Sequence, residues 1–166
     1  MSQSIINSDL YINGSLSSAT FTAPAASITD EMIAANAKVA ATKIIHQLPL
    51  TFTTDPATAV VANTSMLHIA HAIGEIVFVE VCAVTAPTSS DQVTVDILIG
   101  NAASGYTSVL TSVVTLTSSN ADRAVISGTV STTAYAAGDS FQIVVTPTGT
   151  TCKGLVVTTT LHENAQ

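Results

Sequence analysis

Two histidines lie close together in the sequence, but their spacing is unfavourable for binding a metal ion. His68 and His71 lie close together in the segment Met66-Leu67-His68-Ile69-Ala70-His71. On a strand, residues at this spacing face opposite sides of the sheet, which is a poor arrangement for holding one metal ion. We therefore expect a pair of edge or interface histidines and no metal site.

Motifs of catalysis and cofactor binding are missing from the sequence. It has no G-x-S-x-G elbow, no Gly-rich phosphate loop, no H-E-x-x-H and no paired C-x-x-C. Asp96 and Glu80 lie in predicted strands without a second acid or base, so we expect each to face solvent or to pair with a neighbour. The sequence thus predicts a protein that is not an enzyme, with no catalytic residue and no cofactor.

The composition excludes further classes of protein. Charged residues make up 9% of the 166 residues, against roughly 25% in ordinary globular domains. The net charge is −7 and Lys+Arg number only 4, so a nucleic-acid partner is not expected, because binding phosphates takes clusters of basic residues. The mean hydropathy of +0.51 argues against disorder over the whole chain. With so few charges to cover the surface, we expect part of it to be buried by another chain.

Membrane insertion and secretion are not expected either. The densest apolar run, 76–86, contains Glu80 and is shorter than the roughly 20 residues of a spanning helix. Met1-Ser2-Gln3-Ser4 has neither a basic nor an apolar region typical of a signal peptide. One disulfide would fit the even count of two cysteines, but without a secretion signal we expect Cys82 and Cys152 to be free thiols.

Residues 1–27 are predicted to form an extended docking arm. The segment is rich in Ser, Asn, Ala and Thr, with large apolar residues spaced along it. Such residues can add short strands to the edge of a partner's sheet. The alternative is a frayed terminus. The residues expected to dock are Leu10, Tyr11, Ile12 and Phe21.

A short helix is predicted over residues 28–46, in a segment that we bound at 28–47. Asp30 and Glu31 fall in its first turn, where carboxylates favour the positive end of the helix dipole. Several alanines favour helix. The spacing of apolar residues along this helix fits two arrangements equally well. The helix could pack on the sheet of the same chain, or it could form a short coiled-coil seam with other copies. The seam positions are Ile28, Met32, Ala35, Val39, Thr42 and His46.

Residues 48–166 are predicted to form one β domain. Val93–Ile99 and Phe141–Val145 alternate between apolar and polar residues, as half-buried strands do. About eight strands separated by Gly, Pro, Ser and Asn turns are typical of an all-β sandwich or barrel. The remaining predicted strands are Leu48–Thr53, Met66–Ile73, Glu75–Thr85, Ser108–Thr117, Ala124–Thr132 and Leu155–His162. The fold class is therefore mainly β, as an antiparallel, jelly-roll-like β-sandwich.

Two local patterns refine this fold. Gly138 tolerates a positive φ and Asp139 can bond its own following backbone, so this pair predicts a turn that leads into an apolar strand. The strand 76–84 is apolar on both faces. It is expected to lie either under a covering layer or at a subunit interface.

The N-terminal part of the chain resembles a known family. The run Leu16-Ser17-Ser18-Ala19-Thr20-Phe21-Thr22-Ala23-Pro24-Ala25-Ala26-Ser27-Ile28-Thr29-Asp30 continues into Met32–Val39 and Lys43-Ile44-Ile45-His46. It is similar to the N-terminal part of the capsid decoration (cement) and head-fibre-like proteins of tailed bacteriophages. The resemblance covers the first 46 residues by pattern and the rest by architecture only.

The resemblance implies a function and a set of contacts. It implies a homotrimer on the outer capsid surface of a virion, which stabilises the head by bridging neighbouring major capsid proteins. Ile28, Met32, Ala35 and Val39 would then line a threefold contact, and the arm would dock on the shell. The alternative is a receptor- or glycan-binding module of a fibre or adhesin, although the absence of Trp and the presence of only 3 Tyr weaken glycan stacking.

Overall fold

The computed structural model describes residues 45–164, and their secondary structure is mainly β with no helix. Side chains are described from Gln47 onward. The strands are β1 (Ile45–Thr53), β2 (Asn63–Ile69), β3 (Gly74–Thr85), β4 (Val93–Asn101), β5 (Gly105–Ser108), β6 (Val114–Leu116), β7 (Ile126–Gly128), β8 (Ala134–Tyr135), β9 (Ser140–Pro147) and β10 (Lys153–Asn164).

These strands form two antiparallel sheets. Sheet A has the order β1-β10-β3-β7, and β8 also pairs with β3. Sheet B has the order β2-β9-β4-β5, and β6 also pairs with β4. The longest pairings join strands that are far apart in sequence. In β1 and β10, for example, Ile45 lies opposite Asn164 and Thr53 opposite Val156.

Alternation of apolar residues explains the two central strands of sheet B. Val93, Val95 and Ile97 of β4 are buried, and the residues between them are partly exposed. Their partners in β9 follow the same alternation, because Val95 lies opposite Val145 and Ile97 opposite Ile143. Strand side chains point to alternate faces, so one face of this pair is apolar and faces inward.

The inward faces of both sheets contribute to one hydrophobic core. Leu155, Val157 and Leu161 of β10 bring sheet A into the same cluster as the apolar residues of β4 and β9. The Tyr135 ring meets the Phe141 ring edge-on, with centroids 5.1 Å apart. Phe141 is wholly buried, and removing such a ring from a core costs about 3–5 kcal/mol. This core fixes the distance between the sheets.

The start of β1 corrects one prediction. Residues 45–47 were expected to end the helix, but they lie in β1, with Ile45, His46 and Gln47 opposite Asn164, Glu163 and His162. This pairing reaches across most of the chain, so a local helical pattern does not reveal it. The arm at 1–27 and the helix up to residue 44 lie outside the described residues.

Strand boundaries differ most where turns interrupt the predicted strands. The prediction of one strand at 108–117 is replaced by the end of β5 and by β6. Leu110, between them, bridges to Val130 instead. The segment 124–132 likewise contributes only β7, and β8 follows after it. Two expected strands are thus broken, which gives ten elements in the described part where about eight were expected.

The predicted turn before β9 is confirmed, with a different hydrogen bond. Gly138 has φ +89°, a backbone conformation that residues with a side chain rarely adopt. The Asp139 carboxylate accepts a hydrogen bond from the preceding backbone N–H of Ala136 at 2.9 Å, whereas a bond to the following backbone was predicted. Its other oxygen accepts from Asn101 Nδ2 at 2.7 Å, which ties this turn to the end of β4.

Candidate interaction surfaces

The contact residues predicted from the sequence cannot be placed in this fold. They all lie outside residues 45–164, in the N-terminal part of the chain. The predicted threefold contact is Ile28, Met32, Ala35 and Val39, and the predicted docking arm is Leu10, Tyr11, Ile12 and Phe21. The candidate surfaces of the described residues therefore rest on other side chains.

A nearly buried carboxylate, that of Glu163, ties the two sheets together at one end. Its Oε2 lies 3.2 Å from His68 Nε2, on β2 of sheet B. Its Oε1 accepts from the backbone N–H groups of His71 and Ala72, at 3.2 and 3.1 Å. Several donors thus converge on one side chain that is only 13% exposed. We call this end of the molecule, with His68, His71, His162, Glu75 and Glu163, the histidine end.

Local strand geometry places His68 beside Glu163. The β2–β9 register shifts between Met66 and His68, a β-bulge that re-aims the side chains after it. His68 then lies opposite Phe141 and packs over its ring, with centroids 6.1 Å apart. The imidazole therefore has an apolar support on one side and a carboxylate on the other.

The expectation that His68 and His71 face opposite sides is wrong. Strand β2 ends at Ile69, so strand alternation does not govern His71 in the following turn. The two imidazole rings meet edge-on with centroids 6.1 Å apart. Within the part of the chain that the structure describes, no group of three His, Cys, Asp or Glu side chains is arranged to hold a metal ion.

Tyr135 completes the histidine end from sheet A. Its hydroxyl donates to the carbonyl of His162 at 3.3 Å and lies 3.5 Å from Glu163 Oε2. Burial, followed by the neighbouring negative charge of Glu163, raises the pKa of Tyr135 to about 12. The hydroxyl therefore stays a hydrogen-bond donor over the physiological pH range.

An open cleft of about 500 Å³ lies beside this cluster, on the outer side of sheet A. Glu75 and His162 are neighbours across β3 and β10, and His162 Nδ1 lies 3.3 Å from Glu75 Oε1. The side chains of Glu75 and His162 are 62% and 34% exposed. Ile73 and Asn164 also line the cleft. It therefore combines a solvent-accessible carboxylate with an apolar wall.

The outer face of sheet A continues from this cleft as a surface with few charges. Val79, Val81 and Ala83 of β3 point into the core, so Glu80 and Cys82 between them point outward and are partly exposed. A second, smaller depression of about 150 Å³ lies here, and Val125, Val156 and Thr158 also line it. No described element covers this outer face of strand 76–84, and both expectations for it, a covering layer and a subunit interface, stay predictions.

The two cysteines lie in different surroundings and are free, as predicted. Cys82 is on the outer face of sheet A and is partly exposed, whereas Cys152 is a buried residue of the loop before β10. Burial raises the pKa of the Cys152 thiol.

Asp96 pairs with a neighbour, as expected, because its Oδ1 accepts from Ser108 Oγ at 2.6 Å.

Sequence reasoning missed Glu163, Glu75 and His162. Their partners lie 87 to 95 residues away, and only strand pairing brings them together. The adjacent pair His162-Glu163 near the end of an apolar strand was the one available signal. Polar residues near the end of an apolar strand indicate where the sheet ends, but they do not indicate which residues their side chains contact.

Comparison with known proteins leaves the family open. No protein-family model matches the chain, and a search of curated proteins finds no significant match. Among residues 45–164, no helix is long and apolar enough to cross a membrane.

Proposed function

We propose that the two sheets form a jelly-roll β-sandwich of eight strand units. If β5 and β6 count as one interrupted unit, and β7 and β8 as another, the observed pairs are those of a single antiparallel ribbon folded in half. The first unit pairs with the last, the second with the seventh, the third with the sixth and the fourth with the fifth.

The remaining pairings support this topology. β10 also pairs with β3, and β9 also pairs with β4. Successive pairs of the ribbon thus alternate between sheet A and sheet B, as they do when a ribbon of paired strands wraps into a double-layered roll. Jelly rolls occur in viral capsid and lectin domains. Because a fold hosts many functions, the topology raises the expectation of a virion role without assigning one.

We further propose that the chain is a non-enzymatic structural protein of a bacteriophage virion. It binds the outer capsid surface as a homotrimer and stabilises the head by bridging neighbouring major capsid proteins. The strand order of the ribbon is the observation from the fold that supports this proposal. The sparsely charged outer face of sheet A and the family resemblance of residues 1–46 support it.

The mechanism would be mechanical. Three arms on one trimer would each make modest contacts with the shell, and linked contacts bind far more tightly than single ones. The cross-bridges would oppose outward pressure from the packaged genome. With only 4 Lys+Arg against 11 Asp+Glu, the chain suits the outside of a shell, away from nucleic acid.

Electron cryomicroscopy of virions with and without the protein tests the proposal. We expect density at fixed positions on or around threefold axes that disappears when the gene is deleted. We also expect the deleted virions to release their genome at a lower temperature, measured by dye accessibility of the DNA. Equal thermal stability of the two virions would contradict the bridging role.

Two variants separate the predicted contacts. Replacing Leu10 and Ile12 with serine should leave the trimer intact and abolish particle binding, because the change falls in the predicted arm. Replacing Met32 and Val39 with aspartate should dissociate the trimer, because like charges would meet at the predicted seam. If both variants bind virions as the native chain does, the assignment of arm and seam is wrong.

A further inference from the structure

The open cleft at the histidine end has the size and chemistry of a binding site. Its volume of about 500 Å³ lies within the range of known ligand sites, roughly 300–1,000 Å³. It is formed where β3, β8 and the end of β10 lie side by side, since Glu75 is opposite Ala134 on one side and His162 on the other. Paired strands therefore hold its floor in place.

Glu75 brings a carboxylate that no Lys or Arg side chain of the described residues contacts. Its carboxylate bonds only to His162 there, at 3.3 Å. Both ion pairs among residues 47–164 use histidine, so neither Arg123 nor Lys153 pairs with a described carboxylate. An accessible carboxylate whose only partner among the described residues is an imidazole attracts a cationic group and repels an anionic one.

The rest of the lining favours a cation on an apolar stem. Ile73, at the rim, is 59% exposed. The Tyr135 hydroxyl keeps its proton, because its pKa is raised to about 12, so Glu75 is the anionic group of the lining. Arginine and lysine carry a charged head on an aliphatic stem, and they bury the stem along apolar surface while the head stays polar.

We propose that this cleft binds an arginine or lysine side chain presented by a partner protein, with the cationic head at Glu75 and the stem along Ile73. The proposal goes beyond a capsid role, because such a site would serve any partner with an exposed basic residue. Its failure would leave the trimer and the capsid contact untouched, since those rest on residues 1–46 and on the strand order.

A titration of the full-length protein with small probes, followed by NMR, tests this site. The probe is Nα-acetyl-arginine amide, and its neutral counterpart of similar shape is Nα-acetyl-citrulline amide. We expect saturable shifts of the Glu75, Ala134 and His162 amides with the arginine probe. Binding of the citrulline probe should be measurably weaker, by up to about fivefold, because an exposed ion pair contributes at most about that factor.

Two matched variants locate the interaction. Glu75→Gln keeps the shape of the side chain and removes the charge, so the arginine probe should bind more weakly, by up to about fivefold. Glu80→Gln, on the same strand and the same outer face, should leave binding unchanged. The proposal is overturned if citrulline binds as well as arginine, if Glu75→Gln binds as tightly as the native chain, or if the shifts do not saturate. Saturable shifts with methyl α-glucoside and none with arginine would assign the cleft to a saccharide and overturn it too.

Discussion

The two ends of the described domain differ in what their carboxylates join: mainly loop segments at one end, and side chains of different strands at the other. At the end that carries the β1–β2, β3–β4, β6–β7 and β9–β10 connections, which we call the loop end, carboxylates bond mainly to backbone N–H groups of the loops. Asp122 accepts from Ala86 at 2.8 Å, and Asp91 accepts from Thr150 and Thr151. At the histidine end, Glu163 and Glu75 bond to histidine side chains of other strands, and Glu163 also accepts from two backbone N–H groups of the turn after β2.

The difference separates closing a loop from joining two sheets. A loop-end carboxylate satisfies donors within the loops, and water can replace a lost bond where the donor is exposed, as it is at Thr150. Glu163 is nearly buried and connects β10 of sheet A with His68 of sheet B and the turn after it. We therefore expect the histidine end to contribute more to the free energy of unfolding than the loop end does, and its remaining accessible carboxylate, Glu75, to be available for binding.

The largest effect is expected for Glu163→Ala. The change removes the acceptor of His68 Nε2 and of two backbone N–H groups, and leaves the donors of His68 and Ala72 partly buried. We expect a loss of about 2–4 kcal/mol in the free energy of unfolding, measured by urea denaturation. Glu163→Gln keeps one acceptor oxygen and should lose less. At the loop end, Asp55 accepts from the backbone N–H of Ala57 at 2.7 Å. A loss for Glu163→Ala no greater than that for Asp55→Ala would contradict the difference between the ends.

A smaller effect is expected for Tyr135→Phe, which removes the hydroxyl that bonds to the His162 carbonyl. The loss should be about 0.5–1.5 kcal/mol at neutral pH, because one hydrogen bond to the backbone is deleted. The pKa of Tyr135 is raised to about 12, so the native state holds a proton that the unfolded chain loses from about pH 10 upward. Stability should fall as the pH rises from about 10 to about 12.

The variant supplies the control for that pH dependence. Because Tyr135→Phe has no phenol at this position, the difference in urea midpoint between native chain and variant should shrink across the same pH range. A constant difference between about pH 10 and about pH 12 would show that Tyr135 does not titrate as its surroundings imply.

The smallest effect is expected for Asp91→Asn at the loop end. The Thr151 hydroxyl, at 2.7 Å, is the main cause that lowers the pKa of Asp91 below 3.8, followed by the Thr151 backbone N–H. A lowered native pKa means that this stabilisation is complete above about pH 4 and is lost as the pH falls through the lowered value. The variant should be less stable at neutral pH, by less than Glu163→Ala, and should approach the native chain in acid. A gap that widens in acid would reverse the sign of this argument.

Alternation of apolar and polar residues predicted the strands that have one buried and one exposed face. Val93–Ile99 was expected as a strand and β4 covers Val93–Asn101, and the expected Phe141–Val145 lies inside β9. The start of β2 was missed, because Asn63-Thr64-Ser65 is polar and becomes a strand only by pairing with β9. Residues 45–47 were assigned to the helix for the same reason, since β10 is their partner.

The histidine end was less predictable than the fold. The sequence drew attention to His68 and His71, but not to their geometry. The bulge between Met66 and His68 sets the direction of the His68 side chain, and the end of β2 at Ile69 sets that of His71. Glu163 gave no signal of its own, because its partners come from other strands and turns. A local pattern predicts which face of a strand is buried, whereas contacts between sheets require the register of distant strands.

The central claim is that the full chain assembles as a homotrimer whose outer surfaces meet a larger particle. Sedimentation equilibrium of the 166-residue chain over a hundredfold dilution tests it most directly. The account predicts a mass of three times the 16.9 kDa of one chain, unchanged by dilution. A single species of 16.9 kDa at every concentration would contradict it.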